Sequence, residues 1–220
     1  MTDTYTGKVS VGGPMDVRRL PGLTIAKLAV GPMDNNAYLL RCRQTDEQVL
    51  IDAANDADTL LKLIGDGGLA RIVTTHRHQD HWEALAEVVA RTSATTVAGR
   101  YDAEGIPVPT DQLVDDGDHI AVGQCSLRVI RLVGHTPGSI ALVYDDPDGA
   151  PHLFTGDSLF PGGVGNTQGD AERFTSLIND VESKLFADLP DETWVYPGHG
   201  SDTTLGTERP HLKEWRERGW

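Results

Sequence analysis

Six consecutive positions, His76-Arg77-His78-Gln79-Asp80-His81, carry three histidines and a carboxylate. Imidazole nitrogen and carboxylate oxygen are the groups that hold zinc-type divalent ions, about four in a structural site and three plus water in a catalytic one. On an extended turn, His76 and His78, two apart, can aim both rings at one ion. Asp80 and His81 follow one turn later, where a helix is expected to start. Asp80 taken alone would also suit a helix N-cap. Chance would scatter the eight histidines over all 220 positions, yet three fall in this one stretch.

Further groups of the same kind stand just past apolar runs. "RIVTT" leads into His76, "RLVG" into His135, "HLFTG" into Asp157 and "WVYPG" into His199. Loops that follow strands carry ligands and catalytic groups because the strands hold them in place. The set His76, His78, Asp80, His81, His135, Asp157 and His199 exceeds what one ion needs. It suits two ions roughly 3.5 to 4 Å apart, sharing a bridging carboxylate and a bridging water. His119, His152 and His211 stand apart from it and read as surface or hydrogen-bonded residues.

The elements that must position these groups follow from the pattern. Strands are expected at 23–30, 37–42, 48–52, 70–75 and 94–99, and again in "HIAVG", "CSLRVIRLVG", "IALVYD", "HLFTG" and "TWVYPG". "ADTLLKLIGDGG" reads as a short helix stopped by glycines. A second helix is expected over 82–92, with Trp82, Leu85, Ala86 and Val89 on one face, and a third over 171–186. "TERPHLKEWRER" closes the chain as a helix, with Pro210 tolerable in its first turn. Strands mixed with helices and a β-rich centre argue for an α/β fold, sheets with helices outside them. Residues 1–22, polar and rich in Gly and Pro, read as an N-terminal extension or edge segment, and 23–220 as a single domain.

Nineteen basic against 33 acidic residues leave a net charge of −14. A nucleic-acid binder needs a basic footprint, so no nucleic acid and no anionic membrane is expected as a partner. The start lacks the apolar stretch of a secretory signal, and no apolar run approaches the ~20 residues that span a bilayer. Cys42 and Cys125 form no CxxC pair. Reduced, buried cysteines and a cytoplasmic location are expected.

His76-Arg77-His78-Gln79-Asp80-His81 resembles the HxHxDH signature of the metallo-β-lactamase superfamily. "GHTPGS" (134–139), "FTGDSLF" (154–160) and "PGHG" (197–200) resemble its three later motifs, in the same order. Within the superfamily they are most similar to glyoxalase II (hydroxyacylglutathione hydrolase) and its short relatives. The resemblance implies a four-layer αβ/βα sandwich of mixed sheets with helices on the outer faces, and metals at one edge. It implies that His76, His78 and His135 hold a first ion, that Asp80, His81 and His199 hold a second, and that Asp157 bridges them. Two divalent ions follow, zinc first, with iron or manganese as alternatives.

The implied reaction is hydrolysis of a thioester by a hydroxide bridging the ions, with Asp80 as the catalytic residue that orients it. The substrate is then a small acyl-thiol. Thr74, Thr75, Thr136 and Asp52 are candidates to fix the imidazoles. One departure bears on the thiol. Where glyoxalase II has a Lys and a Tyr that contact glutathione, "PGGVGNTQGD" offers Asn166 and Gln168. Two alternatives stay open: a mononuclear-iron enzyme similar to persulfide dioxygenases, and a lactone or other ester hydrolase.

Overall fold

The computed structural model describes residues 5–219. Its first sheet has seven strands in chain order: β1 (Asp16–Arg19), β2 (Leu23–Val30), β3 (Asn35–Cys42), β4 (Gln48–Ile51), β5 (Arg71–Thr74), β6 (Thr95–Gly99) and β7 (Gln112–Val114). β1 to β4 run antiparallel, and β4 to β7 parallel. The second half of the chain supplies β8 (His119–Val122), β9 (Cys125–Leu132), β10 (Ser139–Tyr144), β11 (His152–Gly156), a small ribbon of β12 (Leu159–Phe160) and β13 (Gly163–Val164), then β14 (Trp194–Pro197) and β15 (Thr203–Thr204). The second sheet has the order β15-β14-β11-β10-β9-β8, with only β11 and β14 parallel.

Alternation along the strands divides the apolar residues into three cores. Ile25, Leu40, Val73, Leu142, Phe154 and Tyr196 belong to the layer between the sheets. The opposite face of the first sheet, with Leu39, Leu50 and Ile72, is covered by α1 (Ala57–Ile64) and α2 (Leu85–Thr92). The outer face of the second sheet, with Leu132, Val143 and Val195, packs on α3 (Ala171–Asp180), and α5 (Leu212–Arg218) adds Trp215 after the short α4 (Leu205–Glu208). Each side chain as fully buried as Leu60 or Leu177 stabilises the fold by roughly 1.5–3 kcal/mol. The result is the four-layer αβ/βα sandwich.

The structure corrects three expectations about helices. His76–His81 does not open directly into one: Gln79–His81 is a single 3-10 turn, and α2 starts only at Leu85. The buried positions of α2 are Leu85 and Val88, while Ala86 is exposed. The helix expected over 171–186 is α-helical only to Asp180 and continues as a π-turn, Val181–Phe186. The wider turn lets both Leu185 and Phe186 reach the core. His119 opens β8, as the strand expected over "HIAVG" has it.

One edge of the sandwich collects the ends of β5, β9, β11 and β14, and the backbone stitches the two sheets there. Ile140 N donates to Thr75 O (2.9 Å) and Asn36 N to Gly198 O (2.7 Å), while Gly198 N donates to Gly156 O (2.8 Å) within the second sheet.

Candidate metal centre

At that edge Asp52 follows β4 with φ 58°, in the left-handed region that Asp tolerates better than most residues. Its carboxylate turns under β5. Oδ1 accepts Thr75 N (2.8 Å), and Oδ2 accepts Thr75 Oγ1 (2.8 Å) and lies 2.8 Å from His81 Nδ1. Asp102, after β6 and equally buried, does the same for the next loops. It accepts the backbone N–H groups of Arg77 and Gly138 and the hydroxyl of Thr136.

All seven residues read from the sequence come together. His76 Nε2 is 3.1 Å from His78 Nδ1 and 3.3 Å from His135 Nε2. His81 Nε2 is 3.3 Å from His199 Nε2 and 3.4 Å from Asp80 Oδ2. Asp80 Oδ2 is 3.3 Å from His199 Nε2. Asp157 stands between the two groups, with Oδ1 3.3 Å from His81 Nε2 and Oδ2 3.4 Å from His199 Nε2 and 3.7 Å from His135 Nε2. Three overlapping triads could each hold an ion: His76, His78, His135; His76, His81, Asp157; and Asp80, His81, His199.

The spacing fits a metal. Bonds of about 2.0–2.1 Å at tetrahedral angles separate ligand atoms by about 3.3 Å. The hydrogen-bond network also selects which nitrogen faces inward. Thr75 Oγ1 gives its one proton to Asp52, so at 3.0 Å it must accept from His76 Nδ1. His135 Nδ1 meets Asn166 O (2.8 Å) and His199 Nδ1 meets Met33 O (3.0 Å), both obligate acceptors. With His81 Nδ1 on Asp52, four rings donate outward and present Nε2 to the centre. His78 alone presents Nδ1.

Charge divides the cluster. Burial pushes the His76, His78 and His135 imidazoles down, and the neighbouring imidazole of His81 adds to this, so all three favour the neutral, ligating form. Burial would push His199 down too, but hydrogen bonds to Asp157 and Asp80 raise it to about 10. Against the same burial, His81 is held well above its usual range by Asp157 and Asp52. Burial opposes ionisation of Asp157 and Asp80, yet both stay ionised below the usual carboxylate range: Asp157 chiefly through the charge of His81, Asp80 chiefly through its hydrogen bond to His199.

Two details favour a cation here over a network of hydrogen bonds alone. Asp157 Oδ1 is buried and accepts no well-formed hydrogen bond from the described residues, with only the His81 ring near it at 3.3 Å, an arrangement that a bound cation would complete. The backbone is also hollowed around it. A Cβ on Gly198 would stand 2.2 Å from Asp157 Oδ1 and 2.8 Å from His81 Cε1.

Of the four positioning candidates, Asp52 and Thr75 hold imidazoles directly, and Thr136 acts through Asp102. Thr74 lies buried on β5 and makes none of these contacts. Sequence reasoning missed Asp102, and also Asn35, whose Nδ2 donates to Asp80 Oδ2 (2.8 Å). The Asn-Asn pair closing the turn "GPMDNN" is the signal that could have flagged Asn35. Met33 and Asn166 act through carbonyls, which no side-chain pattern announces. His152 Nδ1 pairs with Tyr196 OH (2.9 Å) inside the second sheet, His119 Nδ1 with Ser126 Oγ (3.2 Å), and His211 is exposed, so all three stand outside the cluster.

Residues 30–199 match the family model described as the Metallo-beta-lactamase superfamily. The chain is similar to a hydroxyacylglutathione hydrolase of Fuscovulum blasticum, 39% identical over 169 residues that make up 76% of this chain and 62% of the relative. It therefore spans under two thirds of that relative's length. It is similar over 83% of itself and 93% of the relative to a Bacillus subtilis strain 168 protein named "Probable metallo-hydrolase YqgX", at 30% identity. The crystal structure of TTHA1623 in a di-iron-bound form superposes with a TM-score of 0.69 at 31% identity, covering 83% of this chain and 96% of that one.

Proposed function

Because the chain belongs to the metallo-β-lactamase superfamily, we propose that it is a dinuclear metal-dependent hydrolase that cleaves a small thioester, with zinc as its first-choice metal. The observation that carries this reading is the pair of facing triads, His76/His78/His135 and Asp80/His81/His199, with Asp157 between them. When bound, two divalent cations would supply a water acidic enough to ionise near neutral pH and an electrophilic contact for a carbonyl oxygen.

The chain's own residues do the rest. Asn35 fixes one lobe of Asp80 through Oδ2, which aims the carboxylate into the centre and lets it orient a nucleophilic water. Asp52, Met33 O and Asn166 O keep His81, His199 and His135 from rotating, so little reorganisation remains for the reaction. Among the described residues no serine or cysteine is paired with a histidine of the cluster, in keeping with direct attack by water. A thiolate leaves without a proton donor, so the cluster needs no general acid beside it for this reaction. The relative named hydroxyacylglutathione hydrolase supports the thioester.

The carrier thiol is a separate matter. Asn166 and Gln168 are used internally: Asn166 O receives His135, Asn166 Oδ1 receives Gln168 N, and Gln168 Oε1 receives Arg173. Metal analysis of the full chain, with S-acyl derivatives of glutathione, coenzyme A and N-acetylcysteamine as substrates, tests the reading. About two zinc-type ions per chain with thioester cleavage is expected. One iron per chain with oxygen uptake on glutathione persulfide would overturn it.

A further inference from the structure

Residues 5–7 and Lys27 lie away from the metal cluster in sequence, yet they converge on the loop that carries His199. Lys27 sits mid-strand on β2 and is fully buried. Its ammonium donates to Gly7 O (2.7 Å), Gly200 O (2.7 Å) and Asp202 Oδ1 (2.6 Å), using all three protons. The other oxygen, Asp202 Oδ2, accepts Tyr5 OH (2.7 Å) and Trp194 Nε1 (2.9 Å). The side chain of Asp202 is 1% exposed, so its shielding from water is supplied in part by the N-terminal segment.

That segment is held rather than draped. Asp16 Oδ2 on β1 accepts Thr6 N, Thr6 Oγ1 and Gly7 N (2.8, 2.8 and 2.9 Å). The Tyr5 ring packs edge-on against Trp194 (5.9 Å), and the Arg18 guanidinium lies over both rings (4.4 and 3.8 Å). Gly7 has φ 71°, and a Cβ there would stand 2.5 Å from Asp202 Oδ2. Only glycine lets the segment close on the carboxylate.

The loop is gripped on both sides of His199. Pro197 O accepts Asn36 Nδ2 (2.9 Å) and Tyr38 OH (2.6 Å), and Gly198 O accepts Asn36 N (2.7 Å). Beyond His199, Gly200 O accepts Asn36 Nδ2 (3.0 Å) and the Lys27 ammonium. The grip before His199 comes wholly from the sheet. The grip after it comes from Asn36 and, in addition, from a buried ion pair, and such a pair is a poor stabiliser in itself because both ions must be desolvated. It does fix one geometry.

We propose that Tyr5, Gly7, Lys27 and Asp202 form a clamp that fixes the Gly200–Asp202 side of the His199 loop, making the N-terminal segment a positioning element for the Asp80/His81/His199 metal position. This rests on the two-metal reading. The segment expected from the sequence as an extension then acts on one of the two metal positions and leaves the His76/His78/His135 position unaffected.

Cobalt(II) loaded into the full chain, with chelator competition and visible absorption, tests it in Gly7→Ala and Tyr5→Phe. Neither residue belongs to a sheet or approaches a metal ligand directly. The expected result is a second-ion affinity weakened ~10-fold or more, as for outer partners of metal ligands. The absorption of the second ion should change, and the first ion should bind as in wild type. Equal weakening of both ions along with a lower Tm would reduce the clamp to a structural contact and overturn it, and so would unchanged affinity for both. If wild type binds one ion only, the two-metal reading fails by itself, and the clamp is then judged on the ring resonances of His199 in the metal-free protein. A shift of His199 in Gly7→Ala with His135 unmoved sustains it, and an unmoved His199 overturns it.

Discussion

Asp52 Oδ2 lies 2.8 Å from Thr75 Oγ1 and 2.8 Å from His81 Nδ1. Through Thr75, which in turn accepts from His76 Nδ1, one buried carboxylate orients an imidazole of each triad. Asp52→Ala is therefore expected to weaken both metal positions about 10–100-fold, most strongly the one that contains His81. Leaving the Thr75 N–H and His81 Nδ1–H buried without an acceptor also costs about 1–3 kcal/mol for each group. Chelator competition and urea unfolding read the two effects separately. Wild-type metal affinity in the variant would remove Asp52 from the site.

Gly198→Ala places a methyl group where the Asp157 carboxylate and the His81 ring now stand. Neither can withdraw: Asp157 is hemmed in by three histidines and His81 is tied to Asp52. A displacement near 1 Å in a reacting centre costs about 10²-fold. The expected outcome is loss of one ion per chain and a fall of about that size in kcat/KM on the best thioester. Full metal content with unaltered kcat/KM would contradict the cradle.

Metal loading should depend on pH differently at the two triads. His76, His78 and His135 are pushed below their usual range, so they are already deprotonated at neutral pH and the first ion displaces no proton. His199, raised to about 10, and His81, held well above its usual range by Asp157 and Asp52 against burial, carry protons that the second ion must expel. Affinity for the second ion should rise between pH 7 and 9 by about tenfold per pH unit for each proton displaced, and affinity for the first should stay nearly flat. Calorimetric titrations at several pH values check this, and parallel slopes would refute it.

His152 sets a different pH dependence, that of folding. It is buried in the second sheet, and burial, with the Arg18 charge, lowers it to about 4. The unfolded chain binds this proton below about 6.5 and the folded chain does not until about 4. Stability therefore rises with pH across that window and is lost as pH falls through it, by at most about 3 kcal/mol from this group. In His152→Gln the urea midpoint should change less between pH 6.5 and 4 than in wild type. An identical pH profile would show that other groups govern the acid limb.

Much of the candidate site was legible because ligand chemistry restricts residue types. Histidine and aspartate at His76–His81, His135, Asp157 and His199 can be read wherever they fall, and their places past apolar runs anticipate the strand ends that carry them. The main strands were legible for a related reason: burial of alternate residues writes period two into the sequence. α2 and the π-turn at Val181–Phe186 were misread because helix register depends on which side chains the facing sheet accepts, and that is a property of the packed layers.

What only the tertiary structure decided is how the site is held. Asp102 looks like any turn aspartate until β6 brings it under the loops of Arg77 and Gly138, 25 and 36 positions away. Carbonyls of Met33 and Asn166 have no sequence signature, since every residue has one. Lys27 reads as a polar position on a strand, yet Asp202, 175 residues later, draws it fully inside. The chemistry of a ligand belongs to its residue type and is written locally. The direction in which it points belongs to hydrogen bonds closed across the whole chain, and those exist only once the two sheets have met.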